Sequence, residues 1–384
     1  MKVGILSMQR VSNYGSYWQA RSLKEYFEKK NNRVEFIDIK PGKIISKSSS
    51  VHKYSLEKVK RLPFYYQRYR RDKMFHTAQI EDLNCFKSLN YREDYDMIII
   101  GSDEVFNFIQ ISKWGFSYQL FGLMNNSNIC TYAASFGFST YEDIVSENIK
   151  EEMINCLNNI RNISVRDKNS YDIIHKLLPK KNIEQNFDPV LIGDFDILNG
   201  IQNSSNYILI YAYDLRFNDK TYINEIRKFA KQEKLEIYSV GFYQTWCDKN
   251  IYPEPKDIFG WFLNAKYIIT DTFHGTIFSM RTHKKFVTII RESNKKKLVD
   301  LIEKCGMNRR IVTSQDNLIE ILQEEVDYSE FEQIREYERK KTIEYLDDCL
   351  NCENSSSIGE LSLTSQAEMI SFRKIGESCN KYPK

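Results

Sequence analysis

Four short stretches of this 384-residue chain carry polar groups that chain folding alone does not require. They are Asn13-Tyr14-Gly15, Gly101-Ser102-Asp103-Glu104, Ser164-Val165-Arg166-Asp167 and Asp271-Thr272-Phe273-His274-Gly275. A histidine can donate to an anion and relay a proton, an arginine grips a carboxylate or phosphate through its planar fork, and a carboxylate can serve as acid or base. The set suits a small anion that must also exchange protons. Taken alone, His274 beside Gly275 is equally the pattern of a structural histidine at a turn.

The elements around these groups place them alike. Tyr267–Thr270 reads as a short buried strand, since three of its four residues are β-branched. Asp271 and Thr272 can cap the helix that follows, and Gly275 removes a side chain where the turn is tightest. His274 is thus expected at a strand's carboxyl end and a helix's amino end, where free N–H groups and the macrodipole favour an anion. Val3–Leu6, Val34–Ile39, Asp96–Ile100, Ile129–Ser135 and Asn162–Asp167 read as further strands, with an amphipathic helix over 15–30 whose inward face is Ala20, Leu23 and Phe27. The other three polar stretches then also sit at strand ends. In open α/β sheets ligands bind there.

A second alternating series follows a polar linker at 199–206: strands at 207–213, 236–240, 267–270 and 286–290, with helices near 222–234, 257–264, 295–305 and 316–325. Two such runs predict an α/β protein of two doubly wound, Rossmann-like domains, 1–198 and 199–325, facing each other across a cleft. A charged helix over 328–350 with Phe331, Ile334, Tyr345 and Leu346 as its apolar contacts, and a Ser-rich mobile tail over 351–384, complete the chain. The stretch 43–90 breaks the rhythm. Its core, Lys58 to Phe75, holds seven basic residues and five aromatics opposed only by Asp72, and reads as a helical excursion from the first domain.

Composition excludes several classes. A net charge of +3 argues against a dedicated nucleic-acid binder. No apolar run approaches the roughly 18 residues of a membrane span, and the opening residues read as a strand rather than a signal peptide. Eight scattered cysteines fit reduced thiols in a cytoplasm better than a disulfide framework. Cys349-x-x-Cys352 lacks the further ligands zinc needs, and no metal site is expected. No Gly-x-Gly-x-x-Gly follows the first strand, so no dinucleotide pyrophosphate is prepared for.

The motifs, taken in order, resemble the polysaccharide pyruvyl transferase family. The resemblance rests on Asn13-Tyr14-Gly15-Ser16 with Gln19-Ala20, Ile100-Gly101-Ser102-Asp103-Glu104-Val105-Phe106-Asn107 and Tyr132-Ala133-Ala134-Ser135-Phe136-Gly137. Ser164-Val165-Arg166-Asp167, Asp188-Pro189, Asp271-Thr272-Phe273-His274-Gly275-Thr276 and Arg309-Arg310 complete it, over roughly residues 3 to 312. Each motif is weak alone and specific in order. The resemblance implies a fold similar to the two-domain glycosyltransferase type B architecture. It also implies transfer of the enolpyruvyl carbons of phosphoenolpyruvate, a co-substrate used without a cofactor, onto two hydroxyls of a sugar in a polysaccharide or its lipid-linked precursor.

By this resemblance His274 contacts phosphate or carboxylate and relays protons, and Arg166 binds the anion, with Thr272, Gly275 and Thr276 around them. Asp103 is the carboxylate for acid or base work, or else a helix cap or the salt-bridge partner of Arg166. Asn13, Gly15 and Ser102 line the acceptor side. Some family members carry Arg where this chain has Thr272, so a second cation is expected from Arg291 or Arg309. Glu104 and Phe106 stand where Gln and Trp are frequent, and Glu104 adds negative charge near an anion site. A lipid-linked acceptor would give the basic, aromatic excursion a reason to touch the inner face of a membrane. The alternatives are a nucleotide-sugar glycosyltransferase, for which Asp271 is the one acidic candidate in the second domain, and an inactive binding protein of polysaccharide assembly.

Overall fold

The computed structural model describes residues 1–45, 62–109, 114–193, 206–291 and 294–351. Nearly all of the expected linker and of the tail, and residues 46–61 of the basic excursion, lie outside the described residues.

The first sheet has six parallel strands: β1 (Lys2–Leu6), β2 (Arg33–Ile37), β3 (Met97–Asp103), β4 (Ile129–Ala134), β5 (Ile163–Val165) and β6 (Ile183–Gln185), in the order β2-β1-β3-β4-β5-β6. The second comprises β7 (Tyr207–Tyr211), β8 (Glu236–Val240), β9 (Lys249–Ile251), β10 (Tyr267–Thr270), β11 (Phe286–Ile289) and β12 (Ile311–Val312), in the order β12-β11-β10-β7-β8-β9. Helices cover both faces of each sheet, so strands such as Met97–Ile100 and Tyr207–Tyr211 are apolar and buried throughout rather than alternating. This is the pair of doubly wound α/β domains that the two alternating runs predict.

Each sheet reverses its winding once, between β1 and β3 in the first and between β7 and β10 in the second. At such a reversal the flanking loops diverge and leave a crevice at the strands' carboxyl ends. The crevices face each other. Tyr14, at the start of the helix Tyr14–Lys29, donates its hydroxyl to the Pro253 carbonyl across the boundary (2.8 Å), and the Trp18 indole donates to the Pro255 carbonyl (2.9 Å). One apolar cluster runs through both domains, from Val3 and Tyr17 to Tyr211 and Phe278.

The helix Ser329–Leu350 returns from the second domain to the first. Phe331 is buried against the second domain, beside the stacked rings of His283 and Tyr328. Towards its other end Tyr345 donates to the Thr131 carbonyl (2.7 Å), and Tyr26 donates to Asp347 (2.7 Å).

The described part of the excursion contains the helix Leu62–Glu81. Two residues expected on its basic, aromatic surface are structural instead. Phe75 is fully buried edge-on against Tyr14, with ring centroids 4.9 Å apart. Arg71 is buried and bonded to Asp214 and to the Gly241 carbonyl of the second domain. Burial of an arginine requires such a partner, and Asp214 supplies it. Tyr65, Tyr66, Arg68, Tyr69 and Arg70 remain exposed.

Candidate active site

Local capping fixes the four polar stretches. The Asn13 side chain accepts from the amides of Gly15 and Ser16 and opens the helix Tyr14–Lys29. Asp167 caps Lys168–Leu177, Asp188 caps Pro189–Ile192, and Thr272 caps Phe273–Arg281 through the Gly275 amide. The residue next to each cap, or one turn along, is thereby aimed into the crevice.

His274 comes from the second domain and meets the first at Gly15. A Cβ on Gly15 would lie 2.0 Å from the His274 Nδ1, so only glycine leaves room for the ring. The other nitrogen, Nε2, lies 3.6 Å from Oδ2 of Asp188. That same oxygen accepts from Nη1 of Arg166 (2.8 Å) and from Nε2 of Gln19 (2.6 Å). Asp188 is therefore a hub on which a histidine, an arginine and an amide converge. Burial pushes its carboxyl up, but His274, Arg166 and the Val190 amide outweigh this and hold it down to about 2. Arg166 lies over the Phe273 ring at 4.2 Å. Its burial disfavours the charge, yet Asp188, Asp103, Asp167 and Glu104 keep the guanidinium above its ordinary value. The buried Arg166 Nε has no hydrogen-bond partner.

Asp103, at the end of β3, receives the Ser16 hydroxyl at Oδ2 (2.6 Å) and the Glu104 amide at Oδ1 (2.8 Å). Glu104 accepts from Asn107 (2.9 Å) and from Nζ of Lys297, which reaches over from the helix Lys295–Lys304 of the second domain (2.7 Å). Burial works against the Lys297 charge, but Glu104 and Tyr213 raise its pKa above the usual lysine value. Lys297 is the cation that the sequence reading missed. Nothing marks it out among Lys295, Lys296 and Lys297 in the chain; only the fold sets one of the three against Glu104. It neutralises the charge that Glu104 adds.

The remaining predicted residues are placed differently. Arg291 pairs with Asp271 (2.9 Å) and donates to the Arg216 carbonyl (2.7 Å). Arg309 is exposed just before β12, at the amino ends of the parallel strands and away from their carboxyl ends. Thr272 and Thr276 are buried in the hydrogen bonds of their own turn, to Thr270, Gly275 and Thr288. Gly275 packs against Thr270 and Tyr211, where a Cβ would fall within 2.1 Å of the Thr270 hydroxyl. These three shape the turn that carries His274. Ser102 is fully buried beside Asp103 with its hydroxyl unpartnered. Among the described residues no group of three or more His, Cys, Asp or Glu is arranged to hold a metal ion.

Two parallel doubly wound domains thus meet at a crevice that holds an imidazole, a buried arginine and a lysine. The family model for polysaccharide pyruvyl transferases matches residues 13–293, and the chain belongs to that family. No curated protein matches it by sequence. Similar solved structures include S. aureus MnaA with UDP, at 12% identity and TM-score 0.49 over 93% of this chain and 99% of that one. The Methanocaldococcus jannaschii UDP-GlcNAc 2-epimerase matches at 12% identity and TM-score 0.45, over 90% and 100%. The calicheamicin glycosyltransferase CalG4 matches at 10% and 0.44, over 92% and 99%.

Proposed function

We propose that this protein transfers the enolpyruvyl carbons of phosphoenolpyruvate to two hydroxyls of one sugar, forming a cyclic pyruvate ketal and releasing phosphate. The observation that carries this reading is the convergence of His274 and Arg166, from opposite domains, on Asp188.

The donor's carboxylate and phosphate need cationic and hydrogen-bonding partners, and Arg166, Lys297 and His274 supply them. A proton delivered to the enol methylene leaves an oxocarbenium-like carbon. The first sugar hydroxyl adds to it and gives up its proton. Phosphate then departs with its carbon–oxygen bond, and the second hydroxyl adds to the same carbon and loses its proton. Of the two hydroxyl protons, one balances that on the new methyl group and the other leaves with phosphate. His274 is the acid within this site, and Asp103, fixed by Ser16, is the base on the acceptor side. Asn13, Gly15 and Ser102 belong to the domain that presents the sugar. Arg166 acts as donor ligand and Asp188 positions both Arg166 and His274.

The reaction needs no cofactor, because the donor itself is activated. A lipid-linked acceptor would bring the exposed face of Leu62–Glu81 to the inner surface of a membrane. Among the described residues no helix is long and apolar enough to cross one.

Phosphate release from phosphoenolpyruvate, measured with a panel of sugar acceptors and compared with turnover of nucleotide-sugars, tests the proposal. Acceptor-dependent release is expected, with a new ketal methyl signal by NMR. His274→Ala should lower turnover by about 10²–10⁴ in a protein that remains folded. Nucleotide-sugar turnover without phosphate release from phosphoenolpyruvate would replace this reading with a glycosyl transfer.

A further inference from the structure

We propose that a second pocket, on the first domain, holds a neighbouring sugar ring of the acceptor chain; this rests on the reading of the enzyme as acting on a polysaccharide or its precursor. The pocket lies at the carboxyl ends of β1 and β2, where Ser7 and Asp38 follow the strands, and has a volume of about 150 Å³. An apolar cavity of roughly that size accommodates benzene, so there is room for one six-membered ring and not for a nucleotide.

The lining is divided in character. One wall is the pair Arg10 and Asp38, joined in plane by two hydrogen bonds of 2.8 and 3.1 Å. Asp38 also accepts from the Asn90 amide (2.7 Å), and Arg10 donates to the Phe86 carbonyl (2.7 Å). The pair is thus held rigidly, with the arginine's charge answered by the carboxylate. A free phosphate would meet Asp38 and is disfavoured here. The rim is apolar: Trp114, Leu89 and Tyr91, the last two exposed at 60% and 38%. A pyranose has both complements, an apolar C–H face for an aromatic ring and a hydroxyl edge for a fixed polar pair.

The pocket lies beside the acceptor side of the main site. The Ser7 hydroxyl donates to the Ser102 carbonyl (3.0 Å), and Ser102 precedes Asp103. Strands β2, β1 and β3 are neighbours in the sheet, so the pocket stands about 5–10 Å along the edge from Asp103. A linked sugar chain bridges that gap. The subsite makes the enzyme a reader of the chain as well as of the sugar it modifies.

Binding of the full-length protein to an immobilised panel of di- to hexasaccharides and their monosaccharides, independent of turnover, tests this. The wild type should retain at least one oligosaccharide, and Trp114→Ala and Tyr91→Ala should each weaken it about tenfold, the scale of one lost aromatic contact, with unaltered circular dichroism. Tyr91 is exposed enough that its loss spares the fold even should Trp114→Ala unfold. Binding equal to wild type in a folded Tyr91→Ala, or no oligosaccharide bound by the wild type, would overturn the subsite. Loss of glycan binding in the variants of an enzyme that never consumes phosphoenolpyruvate would sink the pyruvyl reading and uphold the subsite.

Discussion

Gly15 and His274 are shaped to each other: the glycine's missing side chain is the space the imidazole occupies, with a built Cβ only 2.0 Å from Nδ1. Because the obstacle is a side chain and not backbone, Gly15→Ala should fold and push the ring aside. Misplacement of a reacting group by about 1 Å costs on the order of 10² in rate, so kcat should fall by that factor with little change in melting temperature. Full activity in Gly15→Ala would mean that the ring's position does not matter to turnover.

Asp188 makes the site sensitive to acid. Its pKa, held down to about 2 in the folded protein against about 3.9 unfolded, makes it a stabilising carboxylate above the unfolded value. That contribution, roughly 2–3 kcal/mol at neutral pH, is lost as pH falls through the folded pKa. Asp188→Asn should therefore be less stable at pH 7, and the gap from wild type should narrow below pH ~4. Urea unfolding across this range measures it. A gap that stays constant with pH would show that Asp188 acts through shape and not charge.

Lys297 and Glu104 should separate in their kinetics. As an anion ligand, Lys297→Gln should raise the Michaelis constant for phosphoenolpyruvate about 10–100-fold, the scale of a lost charged hydrogen bond. Glu104→Gln, which frees the ammonium, should leave it unchanged or lower it. A mere clasp between the domains predicts the same loss from both substitutions. Equal effects would therefore remove Lys297 from the donor site.

The exposed face of Leu62–Glu81 should be read with Arg68 and Arg70 and not Arg71, whose partner is Asp214. Each basic residue near anionic lipid contributes on the order of 1 kcal/mol, and aromatics settle at the headgroups. Sedimentation with anionic vesicles should be lost at high salt and in the double variant Arg68→Glu, Arg70→Glu. Recovery in the supernatant with anionic and neutral vesicles alike would end the idea.

Much of this was legible in the chain because its signals are local. The strands Tyr267–Thr270 and Glu236–Val240 have the bounds expected from the chain, and the cap at Thr272 follows from side-chain chemistry within three residues. What escaped depends on distance. Strands β6, β9 and β12 are three, three and two residues long, too short to show any period, and exist because a longer strand lies beside them. Arg291 looks available in sequence but faces Asp271 twenty residues earlier. Lys297 and Glu104 are 193 positions apart, and Asp188, a turn residue by its proline, becomes the hub only when Gln19, Arg166 and His274 arrive from three other elements.

The long helix Ser329–Leu350 has a mechanical meaning. It lies against Pro189–Ile192, the last described element before the chain enters the second domain, with Asn186 donating to Thr342 at 3.4 Å. The last described element of the first domain and the returning helix therefore lie side by side. Bonds on the crevice side, such as Lys297 to Glu104, join side chains and can part and reform; the returning helix is continuous chain and cannot. Any parting of the two lobes therefore leaves them joined along that helix, and the crevice side is the one free to widen.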